Sequence, residues 1–210
     1  YHRVPYIDRY LERFADQEFD EDEYEFWARH LTVNETYFYR NEGDWQAVRT
    51  TILPELMERQ SEDRTLRVLC LGASSGEEPY TIALVMRTEF PELKRWNIEI
   101  EATDIHVNMI KRAIAGGPYS SRSVKNIPEK ARDQYLNYDG QGWYVNNELR
   151  SMVKYSYANL FDMPVSIKVN DYDLIFCRNV IIYFEKAVAS GLLKSIFGYL
   201  RDGGYLVIGH

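Results

Sequence analysis

One junction constrains this chain more than any other. The apolar run Leu66-Arg67-Val68-Leu69-Cys70-Leu71 passes directly into Gly72-Ala73-Ser74-Ser75-Gly76, and then into Glu77-Glu78-Pro79. A strand that is apolar at almost every position is covered on both faces, which is the habit of parallel sheets. A proline in the first turn of the following helix loses no hydrogen bond, because those N–H groups lack intrahelical partners in any case. Ile98 to Thr103 reads as a second strand ending at Asp104, with Ile105, Met109 and Ala113 marking a helix behind it. Pro128 opens a helix with Ile127, Ala131 and Tyr135 on one face, and Asp139-Gly140 and Gly142 predict a hairpin within 137–154. Tyr155 to Leu160, Asp173 to Cys177 and Tyr205 to Gly209 read as the third, fourth and fifth strands. A helix from Glu185 to Leu200 carries Val188, Leu192 and Ile196 and is stopped by Gly203-Gly204. Upstream, Trp45, Val48, Ile52 and Leu56 have helical spacing, with Asp44 as the expected cap and Pro54 as the expected kink or end. Such alternation predicts an α/β fold, a mostly parallel sheet with helices on both faces.

At 210 residues the chain has room for one domain, or one domain and a small appendage. Thirty-two acids against 25 bases leave a net charge of -7, which argues against nucleic acid or an anionic membrane as the main partner. No apolar run approaches the roughly 20 residues of a membrane span, and Tyr1 to Tyr10 does not read as a secretory leader. Residues 1–33 hold nine acids and four bases, with Asp16 to Glu25 nearly all acid, and read as a short helical segment with a solvated face. Cys70 and Cys177 lie in separate apolar runs, as reduced core thiols of a cytoplasmic protein do. His2, His30, His106 and His210 are scattered without metal-ligand spacing, so no metal is expected. Neither a nucleophile-elbow serine nor a Walker lysine is present.

In an open parallel sheet, ligands bind beyond the carboxyl ends of the strands where the strand order reverses. Small residues at Gly72 and Gly76 let backbone approach a ligand, and Asp104 can accept both hydroxyls of a ribose. The turn lacks the full G-x-G-x-x-G spacing, and Glu77 and Glu78 would repel a pyrophosphate at the helix N-terminus. A nucleoside carrying a positive group suits this site better than one carrying phosphates, and S-adenosylmethionine is such a ligand. An alternative stands beside it: Glu77 and Glu78 complement the helix dipole, and Asp104 caps the next helix.

Further blocks occur in order: Asn34-Glu35-Thr36-Tyr37-Phe38-Tyr39-Arg40, Gly76-Glu77-Glu78-Pro79-Tyr80-Thr81, Ala102-Thr103-Asp104-Ile105, Asn159-Leu160, Phe176-Cys177-Arg178-Asn179-Val180-Ile181-Ile182-Tyr183-Phe184, and Gly203-Gly204-Tyr205-Leu206. Together they resemble the chemotaxis-receptor methyltransferases, the CheR family, from about Leu31 to His210. The resemblance implies a class I S-adenosylmethionine-dependent methyltransferase fold, Rossmann-like. It also implies transfer of a methyl group to glutamate side chains on the cytoplasmic domains of chemotaxis receptors, with S-adenosylhomocysteine as product. It assigns cofactor contacts to Asn34, Thr36, Arg40, Glu77, Asp104, Asn159, Leu160, Arg178 and Asn179, with Gly72 and Gly76 shaping the turn. Arg40 and Tyr183 are the expected catalytic pair, one holding the acceptor carboxylate and the other placing its hydroxyl near the transferring methyl.

The expected division is a helical segment over 1–33 and a methyltransferase domain over 34–210, with a small β subdomain about 137–154. The protein is expected to act as a monomer without inserting in a membrane. The family carries a basic N-terminal helical domain, whereas residues 1–33 are acidic, so docking on the receptor through them is in question. The short hairpin segment predicts action independent of a receptor tail. The family also closes its sheet with an antiparallel strand pair beyond the fifth strand. Two other functions compete: methylation of another carboxylate, and a non-catalytic S-adenosylmethionine-binding signalling module.

Overall fold

The computed structural model describes residues 35–209. The acidic run Asp16 to Glu25, Asn34, His2, His30 and His210 lie outside the described residues.

The first helical stretch is continuous: α1 (Glu42–Ala47), a π-turn (Val48–Ile52) and α2 (Leu53–Arg59). Pro54, expected to break it, sits in the first turn of α2. The wider π-turn before it absorbs the missing N–H and the ring's clash with the preceding turn. Asp44 is not the cap either. The helix begins earlier, after Asn41 in the left-handed region (φ 60°), and the Asp44 carboxylate is taken by Arg178.

Strand β1 (Thr65–Leu71) leads through the glycine turn into α3 (Glu77–Glu89), and β2 (Asn97–Asp104) leads into α4 (Val107–Ala115). Short α5 (Ser121–Val124) and α6 (Glu129–Tyr135) precede the antiparallel hairpin β3 (Leu136–Tyr138) and β4 (Trp143–Val145), then α7 (Asn147–Arg150). The rest is β5 (Val153–Tyr157), β6 (Tyr172–Phe176), α8 (Lys186–Phe197) and β7 (Leu200–Val207). The main sheet is ordered β5-β2-β1-β6-β7, with every neighbouring pair parallel. Its order reverses between β1 and β6.

Side-chain alternation builds the two layers. Val68, Cys70, Ile100, Ala102, Leu174 and Phe176 pack on one face with Trp45, Val48 and the buried residues of α3. Leu69, Leu71, Ile175 and Cys177 pack on the other with Leu192 and Ile196 of α8. From Pro79 to Met86 every residue of α3 is buried, so this helix is a core element with no solvent stripe.

Two strands differ from the expectation. The third strand begins at Val153 and ends at Tyr157, so Val153 and Lys154 belong to the main sheet and not to the hairpin. It stops early because the Asn159 carboxamide accepts the Phe161 N–H at 3.0 Å, a local turn that competes with the ladder. The fifth strand starts at Leu200, and α8 has already ended at Phe197. Gly203 and Gly204 therefore lie inside a strand, where Gly203 (φ +76°) accompanies a register shift against β6.

Candidate active site

The reversal of strand order brings two loops together at the carboxyl ends of β1 and β6: the glycine turn 72–76 and the segment from Cys177 to Phe184. Gly72 has φ +74°, and a Cβ placed there would stand 2.3 Å from Cγ2 of Val180. Gly76 has φ +96°, and its Cβ would meet the Tyr155 hydroxyl at 2.7 Å. Both glycines are thus demanded by backbone and by space. Gly72→Ala is expected to destabilise the fold by about 1–3 kcal/mol, through the left-handed conformation and the collision with Val180. A thermal melt at the same midpoint as the unmodified protein would contradict this.

Asp104, at the end of β2, reaches across to the turn. Its carboxylate accepts the backbone N–H of Ser74 at 2.7 Å on one oxygen and that of His106 at 2.8 Å on the other. A carboxylate has about four acceptor sites, so capacity remains beyond these bonds. The same side chain therefore organises the entry to α4, whose N-cap is His106 and not Asp104. Burial raises its pKa, with the N–H groups of His106 and Ser74 pulling it back. Within this neighbourhood the Ser74 hydroxyl, the Thr103 hydroxyl and Nδ1 of His106 are buried without hydrogen-bond partners. An unmet buried polar group costs about 1–3 kcal/mol.

Glu77, at the start of α3, is 2% exposed. Its carboxylate takes hydrogen bonds from the hydroxyls of Ser75 at 2.7 Å and Ser123 at 3.2 Å, both neutral donors. Burial raises its pKa, and the Ser75 bond and the Arg112 charge only partly offset that. Glu78 differs: it forms an ion pair with Arg178 at 2.8 Å.

The segment from Glu35 to Asn41 crosses near these loops. Thr36 is half-buried. Arg40 donates to the Glu35 carbonyl and lies 5.9 Å from the centre of the Tyr37 ring. Arg178, expected on the cofactor, has a side chain 2% exposed, and each guanidinium nitrogen is engaged by the protein: Asp44, Glu78 and the Arg40 carbonyl. Asn179 is left-handed (φ 57°), and Tyr183, in a short helical turn, is 56% exposed. Leu160 packs into the α8 layer and Asn159 closes its own turn.

The structure therefore brings Gly72, Gly76, Glu77, Asp104 and Arg178 to the loops at the reversal point, and Arg40 joins Arg178 through its carbonyl. Asn34 lies outside the described residues. Sequence reasoning missed Ser74, Ser123, His106 and Trp45. Only Trp45 carried a readable signal, as an aromatic at helical spacing close behind the first motif block.

S-adenosylmethionine fits this donor set. A carboxylate with spare lone pairs suits a ribose diol, a buried carboxylate whose side-chain hydrogen-bond donors are neutral hydroxyls suits an ammonium group, and the orphaned polar atoms belong to the same turn and strand end. No group of acids, cysteines and histidines among the described residues could hold a metal. No described helix is long and apolar enough to cross a membrane.

The pH dependence of binding follows from these acids. A cationic nucleoside prefers Asp104 and Glu77 ionised, and both have pKa values raised by burial above the usual carboxylate range of about 4. Affinity for S-adenosylmethionine, which carries a sulfonium and an ammonium, is expected to fall as pH drops from neutral through these raised pKa values, because the acids protonate. For the free protein the sign is opposite: acids with raised pKa values favour the fold when protonated, and that contribution fades as pH rises through them. Calorimetric titration showing flat affinity over this range would refute the assignment.

Comparison with known proteins places the domain in a family. Residues 34–210 match the family described as CheR methyltransferase, SAM binding domain. "Chemotaxis protein methyltransferase 2" of Vibrio cholerae is 35% identical over 181 residues, covering 86% of this chain and 62% of the relative. "Chemotaxis protein methyltransferase" of Borreliella burgdorferi is 37% identical over 187 residues, covering 86% and 64%. The chain thus spans just under two thirds of the length of these relatives. Among solved structures, the PH0226 protein of Pyrococcus horikoshii superimposes with a TM-score of 0.41 at 16% identity, covering 87% of this chain and 63% of that one. With a matched segment that takes in every described residue, the chain belongs to the CheR methyltransferase family, and the segment is that family's S-adenosylmethionine-binding domain.

Proposed function

We propose that this protein methylates glutamate side chains on the cytoplasmic domains of chemotaxis receptors, forming glutamyl methyl esters, with 34–210 as the methyltransferase domain. The observation that carries the reading is that Asp104 and buried Glu77 bond to adjacent residues of one glycine turn, Ser74 and Ser75, in a chain whose relatives are named chemotaxis protein methyltransferases. S-adenosylmethionine, when bound, supplies an electrophilic methyl group on a sulfonium. Asp104 would hold the ribose diol and Glu77 the ammonium. Asn159 and Leu160, just beyond β5, would border the adenine, with Thr36, Asn34 and Asn179 completing the rim.

A glutamate acceptor needs no strong base, because a free carboxyl with a pKa near 4.3 is already ionised at neutral pH. The protein's task is to bring that carboxylate in line with the methyl–sulfur bond and to strip it of water. Arg40 is the group that would hold the carboxylate, and the exposed Tyr183 would border the acceptor's approach. The short β3–β4 hairpin supports action independent of a receptor tail.

The test is transfer of labelled methyl from S-adenosylmethionine to a receptor cytoplasmic fragment, followed by mild alkali. Release of the label as methanol identifies an ester and supports the reading. A base-stable label points to another acceptor chemistry, and binding of S-adenosylhomocysteine without transfer points to a signalling module.

A further inference from the structure

Arg40 stands in an unusual stretch of backbone. Tyr39 before it and Asn41 after it both have left-handed φ values, 55° and 60°. Asparagine tolerates that region, but for a buried tyrosine it is an outlier. Such a conformation persists only where surrounding contacts hold it.

Two of the contacts that hold it converge on one atom. The Arg40 carbonyl oxygen accepts Nη2 of Arg178 at 2.6 Å and the indole N–H of Trp45 at 2.9 Å. Arg178 is anchored in turn by two acids from different elements: Asp44 of α1 at 2.9 Å and Glu78 of α3 at 2.8 Å. The guanidinium also lies 5.5 Å from the centre of the Trp45 ring, which stacks on Phe176 of β6 at 5.6 Å. All these side chains are buried or nearly so, with Asp44 at 16% and Glu78 at 14% exposure. A planar, five-donor guanidinium can meet two carboxylates and a carbonyl at once, which an ammonium cannot do in the same geometry.

We propose that Asp44 and Glu78, acting through Arg178, are positioning residues: they fix the main chain at Arg40 and so set where its guanidinium meets the acceptor. This deepens the methyltransferase reading above and rests on it for the role of Arg40. On this account Arg178 serves the cofactor's neighbour, and its own contact with the cofactor is not what the reaction depends on. Misplacing a catalytic group by about 1 Å can cost 100-fold in rate while leaving ground-state binding intact.

The experiment uses Asp44→Asn, Glu78→Gln and Arg178→Lys in the full chain, each checked for retained helix content by circular dichroism. Expected results are turnover lowered about 10–100-fold, with affinity for S-adenosylhomocysteine within about threefold of the unmodified protein. Asp44→Asn combined with Arg40→Ala should be no slower than Arg40→Ala alone, since the clamp has nothing left to place. Loss of product affinity in step with turnover, or multiplying effects in the double variant, would overturn the proposal. A second readout stands apart from catalysis: the Trp45 indole N–H resonance, assigned through Trp45→Phe. Should the unmodified protein transfer no methyl group, the functional reading falls, and this resonance decides the clamp. Slow exchange in the unmodified protein that becomes fast in Asp44→Asn supports the clamp, and unchanged exchange overturns it.

Discussion

Arg40→Ala is expected to lower methyl transfer about 100-fold or more, with affinity for S-adenosylhomocysteine held within a few fold. The argument begins from the side chain's surroundings. Its guanidinium has a protein partner in the Glu35 carbonyl and lies beside the Tyr37 ring, and it is only half-buried. Most of its donors thus remain for an incoming carboxylate, which an arginine can grip at two points. An interaction with the acceptor that strengthens in the transition state is read in turnover and not in product binding. Tyr183→Phe should move the same way by a smaller factor, because its exposed ring loses only a hydroxyl. Steady-state rates at saturating acceptor check both, and wild-type rates in the two variants together would remove the catalytic assignment.

Asp104→Asn should be more damaging than its near-identical shape suggests. Each carboxylate oxygen accepts one buried backbone N–H, from Ser74 and from His106. An amide offers one oxygen and one NH2, so one of those N–H groups would face a donor and go unmet. That costs about 1–3 kcal/mol of stability before any ligand is considered. The variant also loses the negative charge and half of the acceptor set presented to the ribose, so affinity for S-adenosylhomocysteine is expected to fall about 100-fold. A melt together with calorimetry separates the two losses. Unchanged affinity in a destabilised protein would show that this acid serves the fold alone.

Much of this fold was legible because its strands are short, apolar and bounded by glycine or acid. The apolar run Leu66–Leu71 and the glycine turn behind it suffice to predict β1, α3 and the parallel sheet. The failures share a physical cause: a local signal was outvoted by a distant partner. Asp44 looks like a cap, yet it pairs with Arg178 more than a hundred positions away in sequence. Gly203-Gly204 looks like a helix stop, yet it forms an irregularity within β7, whose register is set by β6. Tyr155 to Leu160 reads as one run because β-prone residues continue past Tyr157, and only the Asn159 turn ends the strand. In the site, motif membership located Glu77 and Arg178 but said nothing of their partners. The hydroxyls of Ser75 and Ser123 and the acids on either side of Arg178 become neighbours only through the tertiary fold.

The junction of β1 with β6 also orders events during biosynthesis. Cys70 is registered against Phe176, so the central strand gains its second neighbour only after the hairpin and four further helices have left the ribosome. Until then the loop bearing Val180 is missing and Gly72 faces no opposing wall. A nascent chain that ends before Tyr172 has the residues of β1, β2 and β5 but lacks the loop that faces Gly72. The wall that Val180 gives the glycine turn thus depends on a non-local strand pairing, the slow kind to form.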